Sequence, residues 1–359
     1  MNRKYEHNSA VSIQMPAEPE SMAASAGSSS SRAMCGQSQA DPIPLEFEGM
    51  LGISLPMREV FQRILEAASA DISVLITGET GTGKELVAAA IHKKSRRRDF
   101  PYVAVNTGAM PVELIASQLF GHERGAFTGA SVATKGHFES AHGGTIFLDE
   151  ISTMDERAQV SLLRVLESKS FKRVGGDKEI HADVRVIAAT NDNLEEALKQ
   201  KKFRHDLFYR LDVFHIHVPA LRERPGGVTL LASHYVPHFN RLYDKQVSRV
   251  SPEAFRLLRH YPWPGNIREL KNVVQRAVLM AKGEELTADL LPARIREAEA
   301  PELSPGASPI RVGMKLEAVE KEFIQMTLAS TGGNKKETAL KLGISRRALY
   351  NKLSRHGLL

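Results

Sequence analysis

The stretch that decides the fold is Gly78-Glu79-Thr80-Gly81-Thr82-Gly83-Lys84, with Glu85 directly after it. It follows the apolar run Ile72-Ser73-Val74-Leu75-Ile76, which reads as a strand, and it opens a helical pattern from Glu85 to about Lys94. Strand, glycine-rich turn and helix in that order are what a phosphate-binding loop requires. Glycines let the backbone wrap an anion, and the unpaired N–H groups at the helix start point at it. Lys84 would then reach the outer phosphates of a nucleotide. The eighth position is Glu85 where the general pattern has Ser or Thr for magnesium, so the motif alone is imperfect.

A second motif strengthens the first. Ile146-Phe147-Leu148-Asp149-Glu150 is an apolar strand ending in two acids, and Asp149 lies 65 residues after Lys84. In nucleoside triphosphatases the first acid positions magnesium and the second polarises the attacking water. Asp149 is therefore the candidate metal ligand and Glu150 the candidate catalytic carboxylate, with ATP and Mg2+ as cofactors. Further strand candidates are Tyr102-Val103-Ala104-Val105, Thr145 through Asp149, and Val184-Arg185-Val186-Ile187-Ala188-Ala189, with helical patterns such as residues 159–167 between them. Strands separated by helices imply an α/β fold with a mostly parallel sheet covered on both faces. After Pro219 the strand pattern stops, and residues 251–259 and 267–281 read as helices of a small all-helical subdomain.

Composition sets the frame. The chain has 359 residues, 42% hydrophobic and 25% charged, the ordinary balance of a globular protein. Cys35 is its one cysteine, which excludes an intramolecular disulfide framework and a cysteine-cluster metal site. No apolar stretch approaches the ~20 residues of a membrane-spanning helix, and no secretion signal opens the chain, so a cytoplasmic location is expected. Residues 1–45 are polar, rich in Ser and Ala, and read as disordered. Pro301, Pro305 and Pro309 with Ser304 and Gly306 mark a linker over residues 297–312. The expected organisation is an ATPase α/β subdomain over 46–219, a helical subdomain over 220–296, and a C-terminal domain over 313–359.

That last domain carries the charge. Lys335, Lys336, Lys341, Arg346, Arg347, Lys352 and Arg355 face only Glu337, a local excess equal to the +6 of the whole chain. A basic patch of this kind suits a polyanion. Leu316, Val319, Phe323 and Met326 are spaced as one face of a helix, and Lys335 to Leu342 reads as a second. Gly343 is the turn, and Ser345 is the N-cap of a third helix that ends near Arg355. Leu349 and Leu353 share its buried face, while Arg346, Arg347, Tyr350 and Asn351 project elsewhere, as a recognition helix needs.

With these residues in view, the chain resembles the bacterial enhancer-binding proteins, the AAA+ activators of sigma-54 RNA polymerase. The deciding stretch is Leu119-Phe120-Gly121-His122-Glu123-Arg124-Gly125-Ala126-Phe127-Thr128-Gly129-Ala130, whose last six residues match the GAFTGA signature of that family. The resemblance implies an AAA+ phosphate-loop sheet with a helical lid and a Fis-type helix-turn-helix. It implies that Gly125, Ala126, Phe127, Thr128, Gly129 and Ala130 form a loop touching sigma-54, with Phe127 and Thr128 making the contact. Asn106 matches a switch asparagine that holds Glu150, Asn191 a first sensor, and Arg268 a second sensor facing the nucleotide. Arg204 and Arg210 match arginine fingers that enter a neighbouring subunit's site, which implies a hexamer, homomeric or heteromeric.

The resemblance also implies binding to double-stranded DNA upstream of promoters. Lys335 and Lys336 would contact phosphates, Arg346, Arg347 and Asn351 the bases, with Ser345, Tyr350, Lys352 and Arg355 in the same interface. The pattern is similar to members without a regulatory domain, such as the phage-shock and type III secretion (hypersensitive response) activators, and implies control by a protein acting in trans. The chain departs from the family pattern at Gln118, at Thr107-Gly108 in place of a common Cys-Ala pair, and at Pro225-Gly226-Gly227. Two other readings stay open on the residues alone: a DNA-binding repressor with a vestigial ATPase domain, and a general AAA+ remodeller. Intact Glu150, Arg204 and Arg210 weigh against the first, and the 125–130 loop together with the helix-turn-helix against the second.

Overall fold

The computed structural model describes residues 46–127, 129–297, 316–331 and 334–356. The expectations for residues 1–45, for Thr128 and for the linker beyond residue 297 lie outside the described residues. Two compact units divide the chain after Glu297.

The first unit is built on five parallel strands: β1 (Val74–Thr77), β2 (Tyr102–Asn106), β3 (Thr145–Asp149), β4 (Arg185–Thr190) and β5 (Phe214–His217). Their order across the sheet is β5-β1-β4-β3-β2. Register places Thr77 beside Thr190 and Asn106 beside Asp149, so the strands end together along one edge. Successive strand residues point to opposite faces, and the sequence is apolar at nearly every step. Leu75, Ile146, Leu148, Val186 and Ala188 therefore enter one core, beneath α3 (Val112–Phe120), α4 (Glu156–Ser168) and α6 (His205–Leu211). Val74, Ile76, Phe147, Ile187, Ala189 and Ile216 enter the other, against α1 (Leu55–Ser69) and α2 (Lys84–Lys94). The short α5 (Leu194–Lys199) lies between β4 and α6.

β5 corrects the expectation of four strands. Its sequence, Phe-His-Ile-His, alternates apolar and polar because it is an edge strand with one polar side. Both histidines reach the hydroxyl of Thr77 on β1, His215 Nε2 at 2.7 Å and His217 Nδ1 at 3.1 Å. β1 begins at Val74 rather than Ile72, and β4 runs one residue beyond Ala189.

The helical part holds α7 (Gly227–Tyr243), α8 (Pro252–His260) and α9 (Asn266–Met280) around fully buried Trp263, whose indole N–H donates to the Leu258 carbonyl at 2.9 Å. The expectation that strands stop after Pro219 is corrected here. Arg249–Val250 and Glu285–Leu286 form a parallel pair of two residues each, too short to leave a period in the sequence.

The C-terminal unit comprises α10 (Leu316–Ser330), α11 (Lys335–Lys341) and α12 (Arg346–Arg355). Its core is Ile324, Ala339, Leu349 and Leu353. The expected apolar stripe on α10 is therefore rotated: Phe323 is 53% exposed and Ile324 only 3%. Both stripes satisfy helical spacing, and the one that faces α11 and α12 carries Ile324 and Leu328. Gly343 makes the turn at φ +68°, and the Ser345 side chain accepts the Ala348 N–H as expected of an N-cap. Among the described residues no helix is long and apolar enough to cross a membrane.

Candidate nucleotide and effector sites

The strand ends of β1, β2, β3 and β4 bring together Lys84, Asn106, Asp149, Glu150 and Asn191, and leave out the candidates Arg204 and Arg210. Leaving β1, the chain passes through Gly78, Gly81 and Gly83 at φ of +153°, +80° and +100°, a conformation that glycine adopts without steric cost. The resulting loop curls around the start of α2. The Lys84 ammonium turns back into it and donates to the carbonyls of Gly78 at 2.7 Å and Glu79 at 3.2 Å. Lys84 is 8% exposed, and burial holds its pKa below the ordinary lysine value while Asp149 and Glu150 pull it back up. A cation held this way, among free amides of a helix start, is what a phosphate would meet. Glu85 points outward from the first turn of α2.

Asp149 ends β3, and its Oδ1 accepts the backbone N–H of Glu150 at 3.0 Å. Among the described residues no group of three or more acidic or imidazole side chains could hold a metal on its own. The donor set suits Mg2+, which binds through one or two carboxylates and completes its shell with water and phosphate oxygens. Asn191, just past β4, donates to the Thr80 hydroxyl at 3.0 Å, so the first-sensor position touches the phosphate loop.

Asn106 differs from its expected role. No hydrogen bond joins it to Glu150; its Oδ1 instead accepts the Ala109 N–H at 3.1 Å and caps the turn that follows β2. The contact with the Asp149-Glu150 corner comes from Thr107. Its fully buried hydroxyl lies 2.8 Å from the Asp149 carbonyl and 2.9 Å from that of Glu150.

The lid closes on the loop through residues that the sequence reading passed over. Asn266 donates to Glu79 Oε2 at 3.0 Å and to the Thr80 carbonyl at 3.1 Å, and accepts the Leu221 N–H at 2.7 Å. The Ile267 N–H donates to the Gly81 carbonyl at 3.0 Å. A Cβ on Gly81 would collide with the Gly265 carbonyl oxygen, so this glycine also permits the approach of the lid. Arg222 forms a two-pronged pair with Glu79 at 2.5 and 2.9 Å, and together with Asn266 it pulls the Glu79 carboxyl down to about 2. Arg224 is buried, donates to the Thr82 and Pro219 carbonyls, and is pushed down to about 10 by that burial. The signal for these residues was present in Arg222-Glu223-Arg224 and in the Pro-Gly-Asn start of α9. What they grip depends on the fold. Arg268, one residue beyond Ile267, is exposed beside the loop, its Cβ 3.1 Å from where a Gly81 Cβ would stand. At the Pro225-Gly226-Gly227 departure, Gly226 takes φ +70° and its open side faces Ile53.

Arg204 and Arg210 do not reach their own chain's phosphate loop. Arg204 pairs with Asp206 at 2.7 Å and Arg210 with Glu167 at 3.4 Å, both at the surface of α6.

The 125–130 loop stands on a short antiparallel pair, Gly121–His122 with Thr134–Lys135. Gly125 and Gly129 take φ of +83° and +107°, and the Gly125 N–H donates to the Ala130 carbonyl at 2.8 Å, closing the loop at its base. Ala130 is buried there, while Phe127 is 38% exposed with its ring 5.0 Å from that of His122. Arg173 ties the base to the domain through Glu123 at 3.0 Å and Glu139 at 2.9 Å. Gly175 lies so near Ala126 that an added Cβ would stand 2.8 Å from the alanine Cβ.

In the C-terminal unit, Arg346, Arg347, Tyr350 and Asn351 are exposed on α12, and Lys336 on α11. Lys335 lies 5.1 Å from the centre of the Tyr350 ring. Lys352 pairs with Glu320 and Arg355 with Glu317, so these two charges are already matched by α10.

Comparison with known proteins agrees with this architecture. Residues 50–217 match the sigma-54 interaction domain, residues 222–307 the AAA+ ATPase lid domain, and residues 315–356 the Fis family of bacterial regulatory proteins. Nitrogen fixation protein AnfA of Azotobacter vinelandii is 45% identical over 309 residues, covering 86% of this chain and 57% of AnfA. Regulatory protein AtoC of Escherichia coli K12 is 44% identical, covering 84% of this chain and 66% of AtoC. Transcriptional regulatory protein ZraR of Salmonella typhimurium is 46% identical, covering 86% and 68%. The chain thus spans between 57% and 68% of the length of these three relatives. The crystal structure of NtrX from Brucella abortus in complex with ADP superposes with a TM-score of 0.65 at 36% identity, covering 86% of this chain and 70% of that one. A sigma-54 interaction domain, its AAA+ lid and a Fis-type helix-turn-helix in one chain place this protein in the family of sigma-54-dependent transcriptional activators.

Proposed function

We propose that this protein hydrolyses ATP and uses the cycle to remodel the sigma-54 RNA polymerase holoenzyme, so that promoter DNA opens. The observation that carries the reading is the joining, in one α/β unit, of the Gly78–Lys84 loop, the Asp149-Glu150 corner and an exposed, glycine-hinged loop bearing Phe127. Lys84 and the amides around Gly81 and Gly83 would hold the phosphates. Asp149 would hold Mg2+, which supplies charge neutralisation when bound. Glu150 would orient the attacking water and accept its proton. Asn191 and Arg268 approach the same place from β4 and from the lid.

Arg204 and Arg210, which leave their own loop untouched, suit a neighbour's site in a hexameric ring. Phe127 and Thr128 would meet sigma-54. Through Lys335, Lys336, Arg346, Arg347 and Asn351 the C-terminal unit would bind DNA upstream of the promoter, and the protein would act at the nucleoid. Control would come from a protein acting in trans.

The test is open-complex formation at a sigma-54 promoter with purified protein and polymerase. Opening is expected with ATP and not with a nonhydrolysable analogue. Absence of both opening and hydrolysis would move a DNA-binding repressor to the front.

A further inference from the structure

Gln159 is a polar side chain in an apolar place. It is 2% exposed, and its neighbours along α4, Ala158 and Leu162, belong to the core beneath the sheet. A buried amide is tolerated where its hydrogen bonds are met, and here both of its ends are used. Gln159 Nε2 donates to the carbonyls of Met154 and Lys202, each at 2.9 Å. Its Oε1 accepts the Arg204 N–H at 2.9 Å.

The two stretches of chain that this amide joins have different places in the site. Met154 closes the single turn that follows the Asp149-Glu150 corner. Its N–H donates to the Ile151 carbonyl at 3.2 Å, and Thr153 Oγ1 donates to the Glu150 carbonyl at 2.8 Å. On the other side, Lys202 and Arg204 flank Phe203, which is 2% exposed and anchors the approach to α6. Arg204 is the N-cap of α6, where a backbone N–H has no partner within the helix. Gln159 is that partner.

Beyond this fixed backbone the Arg204 side chain is 38% exposed. It pairs with the exposed carboxylates of Asp206 at 2.7 Å and Glu156 at 3.7 Å. Ion pairs at such a surface are worth little, so the guanidinium can exchange them for a phosphate at small cost.

We propose that Gln159 is a positioning residue for the arginine that one subunit lends to the next. It fastens the Arg204 backbone to the turn behind the same subunit's Asp149-Glu150 corner, and so sets where the guanidinium enters the neighbouring site. The inference rests on the reading of the protein as a ring-forming ATPase in which Arg204 acts in trans.

The test mixes two full-length variants that are each expected to be inactive alone. Glu150→Gln subunits keep Arg204 and donate it; Arg204→Ala subunits keep Glu150 and receive it. The mixture is expected to regain ATP turnover. Gln159→Met is then placed in one partner at a time. In the donor it should lower the regained turnover at least about tenfold, since a displacement of about 1 Å at a reacting centre can cost 100-fold. In the recipient it should leave turnover within about twofold. Equal loss in both placements would mark Gln159 as structural and overturn the proposal, as would no loss in the donor.

Should Gln159→Met not fold, Gln159→Asn keeps the amide and shortens its reach by one methylene. The same donor-selective loss is expected of it, in smaller degree, and an equal loss in both placements again overturns the proposal. A mixture that regains nothing, beside a wild type that hydrolyses ATP, refutes the lending of Arg204 and the proposal with it, and leaves the ATPase reading standing. A wild type without turnover refutes the ATPase reading itself.

Discussion

Asn266 Nδ2 donates to Glu79 Oε2 at 3.0 Å across 187 residues of sequence. The first turn of α9 is thereby fastened to the phosphate loop. The same amide holds the Thr80 carbonyl, and its oxygen takes the Leu221 N–H, so one buried side chain joins the loop, the lid helix and the turn between them. Any movement of the lid that breaks this contact disturbs the loop that would carry the phosphates.

Asn266→Ala is expected to destabilise the first unit by about 2–4 kcal/mol, since it removes all the side-chain hydrogen bonds of the clasp and leaves the buried Leu221 N–H unpaired. Tm from thermal denaturation checks this, with nucleotide affinity as the second readout. A variant that melts with the wild type would show that the clasp adds nothing to stability.

The Glu79–Arg222 pair predicts a pH dependence. Glu79 has its pKa lowered from 4.5 to about 2 in the folded protein, so the pair stabilises the fold above the unfolded value and loses that effect as pH falls through about 2. Both side chains are partly exposed, at 41% and 45%, so solvent and salt screen the interaction. Denaturation of wild type and Arg222→Ala should differ at neutral pH, converge progressively below about pH 4.5, and differ less in high salt. A gap that stays constant down to acid pH would contradict the assignment.

Two substitutions should separate binding from coupling. Lys84→Ala is expected to abolish nucleotide binding, read with a fluorescent ADP analogue. Thr128→Ala should leave ATP turnover within about twofold of wild type and abolish open-complex formation. Equal loss of turnover and opening in Thr128→Ala would remove the role given to the 125–130 loop.

In the C-terminal unit the exposed and paired cations should behave differently. Arg346→Ala is expected to weaken specific DNA binding by about 1–3 kcal/mol. Lys352→Ala breaks an ion pair with Glu320 on α10, and its effect should fall on the stability of the unit more than on affinity. Ser345→Ala loses the cap of α12 and should cost about 1 kcal/mol of stability. Electrophoretic mobility shifts across a salt series, alongside thermal melts of the same variants, distinguish these outcomes.

The elements legible in the sequence are those whose causes are local. Glycines at 78, 81 and 83 after an apolar strand, two acids closing β3, glycines at 125 and 129 around Phe127, and Ser345 before α12 each declare a backbone requirement within a few residues. The alternation of strands and helices then sufficed for a parallel α/β sheet, and apolar spacing with Gly343 and Ser345 for the three C-terminal helices, whose helix-turn-helix identity the family resemblance supplied. Where two local patterns were equally good, the sequence could not choose. Phe323 and Ile324 both lie on apolar stripes of α10, and only packing against α11 and α12 buries Ile324. β5 hid for a similar reason: an edge strand of alternating Phe, Ile and His has no apolar run, and what identifies it is its pairing with β1.

The sequence by itself determined that this chain carries a glycine-rich loop between strand and helix, two acids closing β3, a glycine-hinged loop and a basic three-helix tail. Each is set by side-chain chemistry and backbone dihedrals along a short run of chain. Only the tertiary structure decided that Asn266 and Arg222 clasp Glu79, that Gly81 admits the lid, and that Thr107 rather than Asn106 bonds the Asp149-Glu150 corner. Those contacts join residues 42 to 187 positions apart, and strand order, not sequence spacing, brings them within reach.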